Sequence, residues 1–425
     1  MQLKNTTVAD GSRKRVRRSL MAASCALLSA AGATAQAADD AAWQVDSAVL
    51  YYKESGGRVQ AIEPVIAVKH DFCDEQVLGL KFTYDSLTGG SPTGGVVATT
   101  TQTTVSPSGR SHTLVKPGDL PLDSHFKDQR VALDASWSQP LGADTKVSIG
   151  AGFSHERDWT ASTVNAGLSH DFFAHNLTLN FGASGEFDRI NPIGGVPVPF
   201  ALSTGARTGR NESRNGVGAQ FGATAVLSRN WLLRANLNYD RSSGYQTDPY
   251  KILSVVNNDG TVANSLQESR PDQRSRKSLY VESRTAFRDD DALSLSYRRM
   301  QDDWGIHSDT VEARYHLALS DRLYVEPNIR WYQQSAADFY HVMLHSGAAV
   351  PQYASADYRL AAFSAPSVGV KVGLKDYHDN ELTVRLDYYQ QNGKNTERGP
   401  GVLAPYDLNP GVKAVMLQVG WRFGL

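Results

Sequence analysis

Eight of the 11 histidines are the first candidates for chemistry, because a histidine beside a carboxylate or a nucleophile can transfer protons near neutral pH. They are scattered along the chain, at His155, His170, His175, His307, His316, His341, His345 and His378. None of these positions has the spacing of a metal or catalytic motif, and no Gly-x-Ser-x-Gly nucleophile elbow occurs. Asp338 and His341 could form an acid–base pair, but a histidine that hydrogen-bonds a loop is the favoured interpretation. The sequence therefore predicts no enzyme, no metal site and no cofactor.

Acidic residues form a second set of candidates. Six aspartates occur in stretches that are also rich in arginine and tyrosine: Asp248, Asp272, Asp302, Asp303, Asp338 and Asp357. Their carboxylates could supply oxygen ligands to a cation or another ligand. Alternatively, Asp–Arg and Tyr–Asp hydrogen bonds could hold long loops together, because ordered loops must satisfy their own polar groups. The second interpretation is favoured.

The elements that position these residues are predicted from alternation of apolar and polar side chains, which marks a strand with two different faces. A clear example is the segment in which Trp231, Leu233 and Leu237 alternate with Arg234 and Asn236. Alternation predicts sixteen strands, near 43–54, 58–70, 76–86, 129–139, 145–155, 160–170, 177–187, 216–228, 231–241, 277–287, 292–301, 308–319, 323–334, 365–375, 381–391 and 413–425.

The connections between these strands differ strongly in length. Every second connection is a tight turn, whereas all the long segments fall on the alternate connections, at 87–128, 188–215, 242–276, 335–364 and 392–412. Short turns at one end, long loops at the other and an even number of strands are typical of bacterial transmembrane barrels. A soluble β-sandwich has no reason to place every long loop at one end. We therefore expect an all-β, transmembrane antiparallel barrel of about 16 strands (14–18), with short periplasmic turns and long extracellular loops. The six aspartates lie in, or at the edge of, loops on the extracellular side and are therefore expected at the barrel mouth.

If the polar strand faces point inward, the barrel interior has two kinds of wall. The first half contributes small residues: Ser148, Gly150, Gly152, Gly182, Ser184, Gly218 and Gly222. The second half contributes the lumen-lining candidates Arg234, Glu282, Arg284, Arg298, Glu312, Arg314, Glu326, Arg330, Arg385 and Asp387. Interior charges must be paired or solvated. They could therefore form a salt-bridge network that fills the wall, or line a water-filled passage.

The two ends of the chain predict its compartment. Residues 13–18 are rich in Lys and Arg, residues 20–33 are apolar, and small residues follow, which is the order of a secretory signal peptide. Cleavage is expected after Ala37, with Ala35 as the alternative, leaving residues 38–425 as a single domain. Arg17-Arg18 and Cys25 fit a twin-arginine or lipoprotein signal less well. At the other end, residues 417–425 form an apolar, aromatic-rich strand face that resembles the C-terminal signal of outer-membrane barrels.

Five motif stretches carry a family resemblance: Thr247-Asp248-Pro249-Tyr250-Lys251, Glu268-Ser269-Arg270-Pro271-Asp272, Asp302-Asp303-Trp304-Gly305-Ile306, Gln334-Ser335-Ala336-Ala337-Asp338-Phe339-Tyr340 and Tyr353-Ala354-Ser355-Ala356-Asp357-Tyr358-Arg359. In these stretches the chain resembles the DUF3570 family of uncharacterised proteobacterial outer-membrane proteins. The resemblance implies an outer-membrane barrel without an established activity, and it supplies no catalytic residues.

The leading functional hypothesis is a passive, porin-like channel for small hydrophilic solutes. The alternative is a non-conducting barrel that acts as a scaffold or assembly partner, with loop 87–128 plugging the lumen. We expect a multi-pass protein of the bacterial outer membrane, in contact with lipid and lipopolysaccharide. Its expected partner is the outer-membrane assembly machinery, which would recognise the strand at 417–425, and no nucleic acid is expected to bind.

Overall fold

The structure is a computed structural model that describes residues 42–72, 74–105, 112–205, 207–209, 211–288, 290–376, 378, 380–394, 397–409 and 411–424. The predicted signal peptide, Cys73 and Leu425 lie outside these residues.

Sixteen long antiparallel strands form one closed barrel in which each strand pairs with its neighbours along the chain. They are β1 (Ala42–Glu54), β2 (Gln60–Phe72), β3 (Gln76–Pro92), β4 (Leu122–Pro140), β5 (Thr145–Glu156), β6 (Trp159–Phe172), β7 (Leu177–Ile190), β8 (Glu212–Ser228), β9 (Trp231–Gly244), β10 (Gln273–Ala286), β11 (Ala292–Asp302), β12 (His307–Ala318), β13 (Leu323–Gln334), β14 (Phe363–Lys375), β15 (Glu381–Gly393) and β16 (Val412–Gly424). The predicted fold class is confirmed, and each of the sixteen predicted strands overlaps one of these.

The connections contain smaller elements. Short strands occur at Gln102–Val105, His112–Val115, Val196–Pro197, Arg207–Thr208, Ile252–Val256, Val262–Gln267 and Leu344–His345, and a 3₁₀ turn at Gly401–Leu403. In the described part of the chain, no helix has the length and apolar character needed to cross a membrane.

The outer face of the barrel is apolar and exposed, the reverse of a water-soluble protein. On β13, Ile329 is 62% exposed and Trp331 49%, while Asn328 and Tyr332 on the opposite face are buried. Phe153, Phe181 and Leu237 are equally exposed on β5, β7 and β9. Large apolar side chains are stable in this position when lipid covers them, so the outer face is the membrane-spanning surface.

The first and last strands close the barrel. Strand β1 pairs with β16 from Gln44 opposite Gly424 to Glu54 opposite Ala414. Leu417, Val419 and Trp421 point outward and are exposed, as the alternation of the final strand predicts. Because the barrel is closed, it has no sheet edge with unpaired backbone groups. Closure is necessary in a bilayer, whose core offers no hydrogen-bond partners.

The long loops all emerge at one end, but the predicted bounds of the first one were too wide. Strands β3 and β4 stay paired as far as Pro92 opposite Leu122, so the loop covers 93–121 rather than 87–128. A bulge between Gly89 and Ser91 lets the pairing continue. Gly89 has a φ of 102°, and a Cβ there would lie 2.3 Å from the carbonyl oxygen of Arg58. A glycine at the bulge therefore extends the wall by several residues.

The strand register can be tested with single cysteines in a Cys73→Ser background. We expect a lipid-soluble reagent to label Ile329→Cys, which points outward, and a water-soluble reagent to label Arg298→Cys, which points into the lumen. Labelling of purified, lipid-reconstituted protein measures both. The reverse pattern would mean that the strands are shifted by one residue, because such a shift exchanges the two faces.

Candidate functional site

The long loops fold together over one end of the barrel. We call the described residues of loops 93–121, 191–211, 245–272, 335–362 and 394–411 the loop cap, and loop 245–272 the central loop. An apolar cluster inside the cap draws on four of the five loops and consists of Val96, Val97, Val256, Val342, Met343, Leu403 and Leu408, all buried. The cap therefore has a hydrophobic core of its own, which holds the loops in fixed positions.

The central loop crosses the barrel opening. It starts at β9 and ends at β10, yet the N–H of Ile252 donates to the carbonyl of Thr93, directly after β3, at 2.8 Å. The Val96 N–H donates to Ser254 Oγ at 3.1 Å, and the Lys251 ammonium donates to Ser91 Oγ at 3.2 Å. Strands β3 and β9 lie six positions apart in a barrel that is roughly 30 Å across. Contacts over this span place the central loop across the mouth.

The same loop binds the three remaining loops of the cap. The Phe200 N–H donates to the carbonyl of Gln267, and the Val402 N–H donates to the carbonyl of Asp259 at 2.9 Å. Ser269 and Ala354 exchange two backbone hydrogen bonds of 2.9 and 3.0 Å. Each loop is thus tied to the central loop through main-chain groups.

A buried group of charges joins the central loop to loop 335–362. We call it the cap cluster; it contains Asp248, Lys251, Glu268, Arg270, Asp357 and Arg359. Asp357 and Glu268 are each only 1% exposed. Arg270 Nη2 lies 2.8 Å from Asp357 Oδ2 and 2.9 Å from Glu268 Oε2. Arg359 Nη2 lies 2.8 Å from Asp248 Oδ2, and its Nε donates to Asp357 at 2.7 Å.

The cap cluster has equal numbers of carboxylates and cations, and its charges stabilise one another. Burial by itself would raise the pKa of Asp357, but Arg359 and Arg270 outweigh that effect and hold this pKa well below its usual range. Burial would lower the pKa of Arg270, but Glu268 and Asp357 hold it above its usual value. A carboxyl whose pKa is depressed in the folded protein contributes stability that is lost only as the pH falls through that pKa. The cap cluster therefore keeps its charges well into the acidic range.

The six aspartates predicted at the mouth do not converge on one point. Asp248 and Asp357 belong to the cap cluster. Asp302 forms an ion pair with Arg274 and accepts the N–H groups of Trp304 and Ile306 at 3.1 and 2.8 Å. The remaining three are separate: Asp303 accepts the Ser275 N–H at 2.9 Å, Asp338 lies against Gly305, and Asp272 is exposed. Four of the six therefore accept hydrogen bonds that join loops or adjacent strands.

The acid–histidine pair, which was the less favoured interpretation of the sequence, is not seen in the described part of the chain. No hydrogen bond or ion pair joins the side chains of Asp338 and His341 among the described contacts. The His341 N–H instead donates to the carbonyl of Ser355 at 3.0 Å.

The ten predicted lumen residues all lie on the inner face of the barrel, but in different environments. Arg385 and Asp387 are buried and paired with each other at 2.7 Å. Arg314 contacts Glu282 at 3.0 Å and Glu312 at 3.2 Å, and Glu326 lies 3.6 Å from both Lys371 and His316. Arg234, Arg284 and Arg330 are half-buried, and Arg298 is exposed to the interior. Part of this wall is therefore filled by ion pairs, while another part is open to water.

The opposite wall also has two parts. The predicted small residues of β5–β8 face inward, and Ser184 is exposed to the interior. Strands β2–β4 instead bring in buried charges that the sequence interpretation assigned no role: Glu63, Lys81, Asp85 and Arg130. Arg130 Nε lies 2.6 Å from Asp85 Oδ2. The first half of the chain therefore supplies interior charges as well as the predicted small residues, because Lys81 and Asp85 alternate with the outward-facing Leu80 and Phe82.

The residues that sequence reasoning missed are mainly the cationic and glutamate members of the cap cluster. Lys251, Glu268, Arg270 and Arg359 all lie within the stretches that carry the family resemblance, so a signal was present. Their pairing could not be derived, since Arg270 and Asp357 are separated by 87 positions.

Sequence comparison assigns the chain to a family. The profile of a family described as "Protein of unknown function (DUF3570)" matches residues 17–423. The chain belongs to the DUF3570 family. No curated protein sequence shows significant similarity to this family member.

Solved structures show distant similarity to this DUF3570 protein. OccK2 (OpdF) of Pseudomonas aeruginosa, solved in complex with glucuronate, is 11% identical with a TM-score of 0.40, covering 91% of this chain and 99% of that one. The ferric enterobactin receptor PfeA is 11% identical with a TM-score of 0.43, and the match covers 84% of this chain and 55% of the receptor. The siderophore receptor PirA of Pseudomonas aeruginosa is 12% identical with a TM-score of 0.39, and the match covers 82% of this chain and 56% of the receptor. The chain thus spans a little over half the length of the two receptors, and likeness at this level carries no information about ligands.

The contribution of the cap cluster can be measured with Arg270→Met. Removing one partner of a buried ion network costs about 3–5 kcal/mol, because the remaining charges stay buried. We expect trypsin to cleave within 245–272 and 335–362 about a hundredfold faster or more, while heat-modifiable gel migration shows an intact barrel. Arg288→Met is the control, since it removes an ion pair whose arginine is 82% exposed. Equal cleavage of both variants and the unaltered protein would show that the cluster does not hold the cap.

Proposed function

We propose that this protein is an outer-membrane channel for the passive diffusion of small hydrophilic solutes, with an entrance narrowed by the loop cap. The observation that carries the proposal is the solvent exposure of side chains inside the barrel. Ser184 on β7, Asp240 on β9 and Arg298 on β11 all point inward and are exposed. Exposed interior groups on three strands indicate a water-filled space along this side, and sixteen strands leave room for an aqueous passage.

The passage in this proposal is narrow. The opposite part of the interior is filled by buried ion pairs, among them Arg385 with Asp387 and Arg130 with Asp85. Water and solutes are therefore confined to the side lined by β5–β11, and solutes must pass between the loops of the cap or displace them.

The alternative is a non-conducting scaffold, and one observation favours it. The central loop is fixed on both sides of the mouth, by Thr93 near β3 and by Arg359 in loop 335–362. A cap attached at both sides could close the opening completely. The barrel would then serve to present the cap or to anchor a partner. Neither the channel proposal nor the scaffold proposal assigns a chemical reaction to the chain.

The remaining proposals concern location and assembly. The closed barrel with an exposed apolar belt supports insertion in the bacterial outer membrane, where lipid and lipopolysaccharide would surround it. The outward face of β16, with Leu417, Val419 and Trp421, supports recognition by the outer-membrane assembly machinery. Both rest on the general design of such barrels.

Planar-bilayer recordings separate the channel from the scaffold. We expect the unaltered protein to give small, stable conductance steps, because the cap narrows a water-filled lumen. A variant in which residues 251–267 are replaced by a short Gly-Ser linker should give clearly larger steps, since the crossing segment is gone. Heat-modifiable migration checks that both proteins fold. If neither protein conducts, the channel proposal is wrong and the scaffold is favoured; conductance by the variant alone would mean that the cap closes the barrel.

A further inference from the structure

Three interior arginines are grouped on neighbouring strands at the exposed side of the lumen. Arg234 lies on β9 directly opposite Glu282, and Arg284 is two positions further along β10. Arg298 lies on β11 directly opposite Tyr280. Arg234 and Arg284 are therefore diagonal neighbours, a separation that long side chains can span. Arg298 lies on the next strand, four register positions from Arg284 and on the same inner face. We call Arg234, Arg284 and Arg298 the arginine site.

We propose that the arginine site binds small oxyanions, meaning solutes that carry a carboxylate or a phosphate group. The proposal deepens the proposed channel function, on which it rests, by naming the class of solute that the lumen favours.

The acidic residues near the arginine site are held by other cations. Glu282 and Glu312 both contact Arg314, at 3.0 and 3.2 Å. Glu326 contacts Lys371 and His316 instead. Among the described contacts, Arg234, Arg284 and Arg298 form no hydrogen bond and no ion pair within 4.0 Å. Their positive charge is therefore not neutralised by a directly bound carboxylate.

The surroundings of the arginine site suit an oxyanion. The Arg298 guanidinium lies over the ring of Tyr280, 5.3 Å from its centroid, which restrains its orientation while leaving its N–H groups available. On the adjoining strands β7 and β8, Gly182, Ser184 and Gly218 have small or absent side chains, so this neighbouring part of the wall leaves the lumen open. A guanidinium offers a fixed fork of donors that matches carboxylate and phosphate oxygens.

The strand register places fewer carboxylates beside the arginine site than beside the rest of this wall. Arg276, nearer the mouth on β10, faces two carboxylates, Asp240 on β9 and Asp302 on β11, whereas in the arginine site only Arg234 faces one, Glu282. Arg385 is paired with Asp387. An excess of positive charge is thus local to the band that contains the arginine site.

The test measures phosphate binding to the folded, detergent-solubilised protein by isothermal titration calorimetry, at constant ionic strength with chloride as the background anion. We expect inorganic phosphate to bind the unaltered protein, and Arg234→Gln/Arg298→Gln to weaken binding about tenfold or more, because two charge-assisted contacts are lost. Arg276→Gln is the matched control, because it removes the same charge from the same wall outside the site and should bind phosphate as the unaltered protein does. Heat-modifiable migration shows whether each variant folds.

A reversal-potential measurement in a KCl gradient runs alongside, and it distinguishes failure of the site from failure of the channel. We expect anion preference in the unaltered protein and a shift toward cations in the double variant. Conductance without phosphate binding, or phosphate binding that the double variant retains, would overturn the arginine site and leave the channel standing. A third outcome is also informative: phosphate binds, only the double variant loses this binding, and the protein never conducts. That result would support the arginine site and reject the channel.

Discussion

The arrangement of the mouth depends on the mutual neutralisation of six buried charges in the cap cluster. Three carboxylates and three cations are removed from water, and each would be strongly unfavourable without its partners. Since Glu268 and Arg270 come from the central loop and Asp357 and Arg359 from loop 335–362, the charges are satisfied only when these two loops meet in one register. The cluster therefore selects one arrangement of the cap, whether or not it adds net stability compared with an apolar core.

The proposed function depends on which part of the barrel interior the cap and the interior ion pairs leave open. Buried pairs such as Arg385 with Asp387 fill one side of the barrel, and the central loop crosses the opening above. The remaining open side carries the small residues of β5–β8 and the arginine site. In the proposed channel, a solute would meet a restricted entrance first and an electropositive wall second. The cap would then select solutes by size and the lumen would select them by charge.

Much of the barrel could be predicted from the sequence, because each strand carries its own signal. The alternation that places Ile329 outside and Arg330 inside is local, and loop lengths sort the connections into two ends. The cap could not be predicted, since its contacts join residues far apart in the chain: Lys251 and Ser91 are separated by 160 positions. The six aspartates at the mouth were identified by composition alone, and composition does not indicate which arginine each one meets. The charges of β2–β4 were overlooked because small residues dominate the strands that follow.

The central claim is that the loop cap is a fixed structure that crosses the barrel opening. Hydrogen–deuterium exchange of the protein in lipid nanodiscs, read by mass spectrometry, tests it most directly. The backbone N–H groups of Ile252, Ser269, Ala354 and Val402 all donate between different loops. The account predicts that peptides containing them exchange far more slowly than the exposed turn at 320–322 and approach the protection of the barrel strands. Exchange as fast as in that turn would contradict a fixed cap.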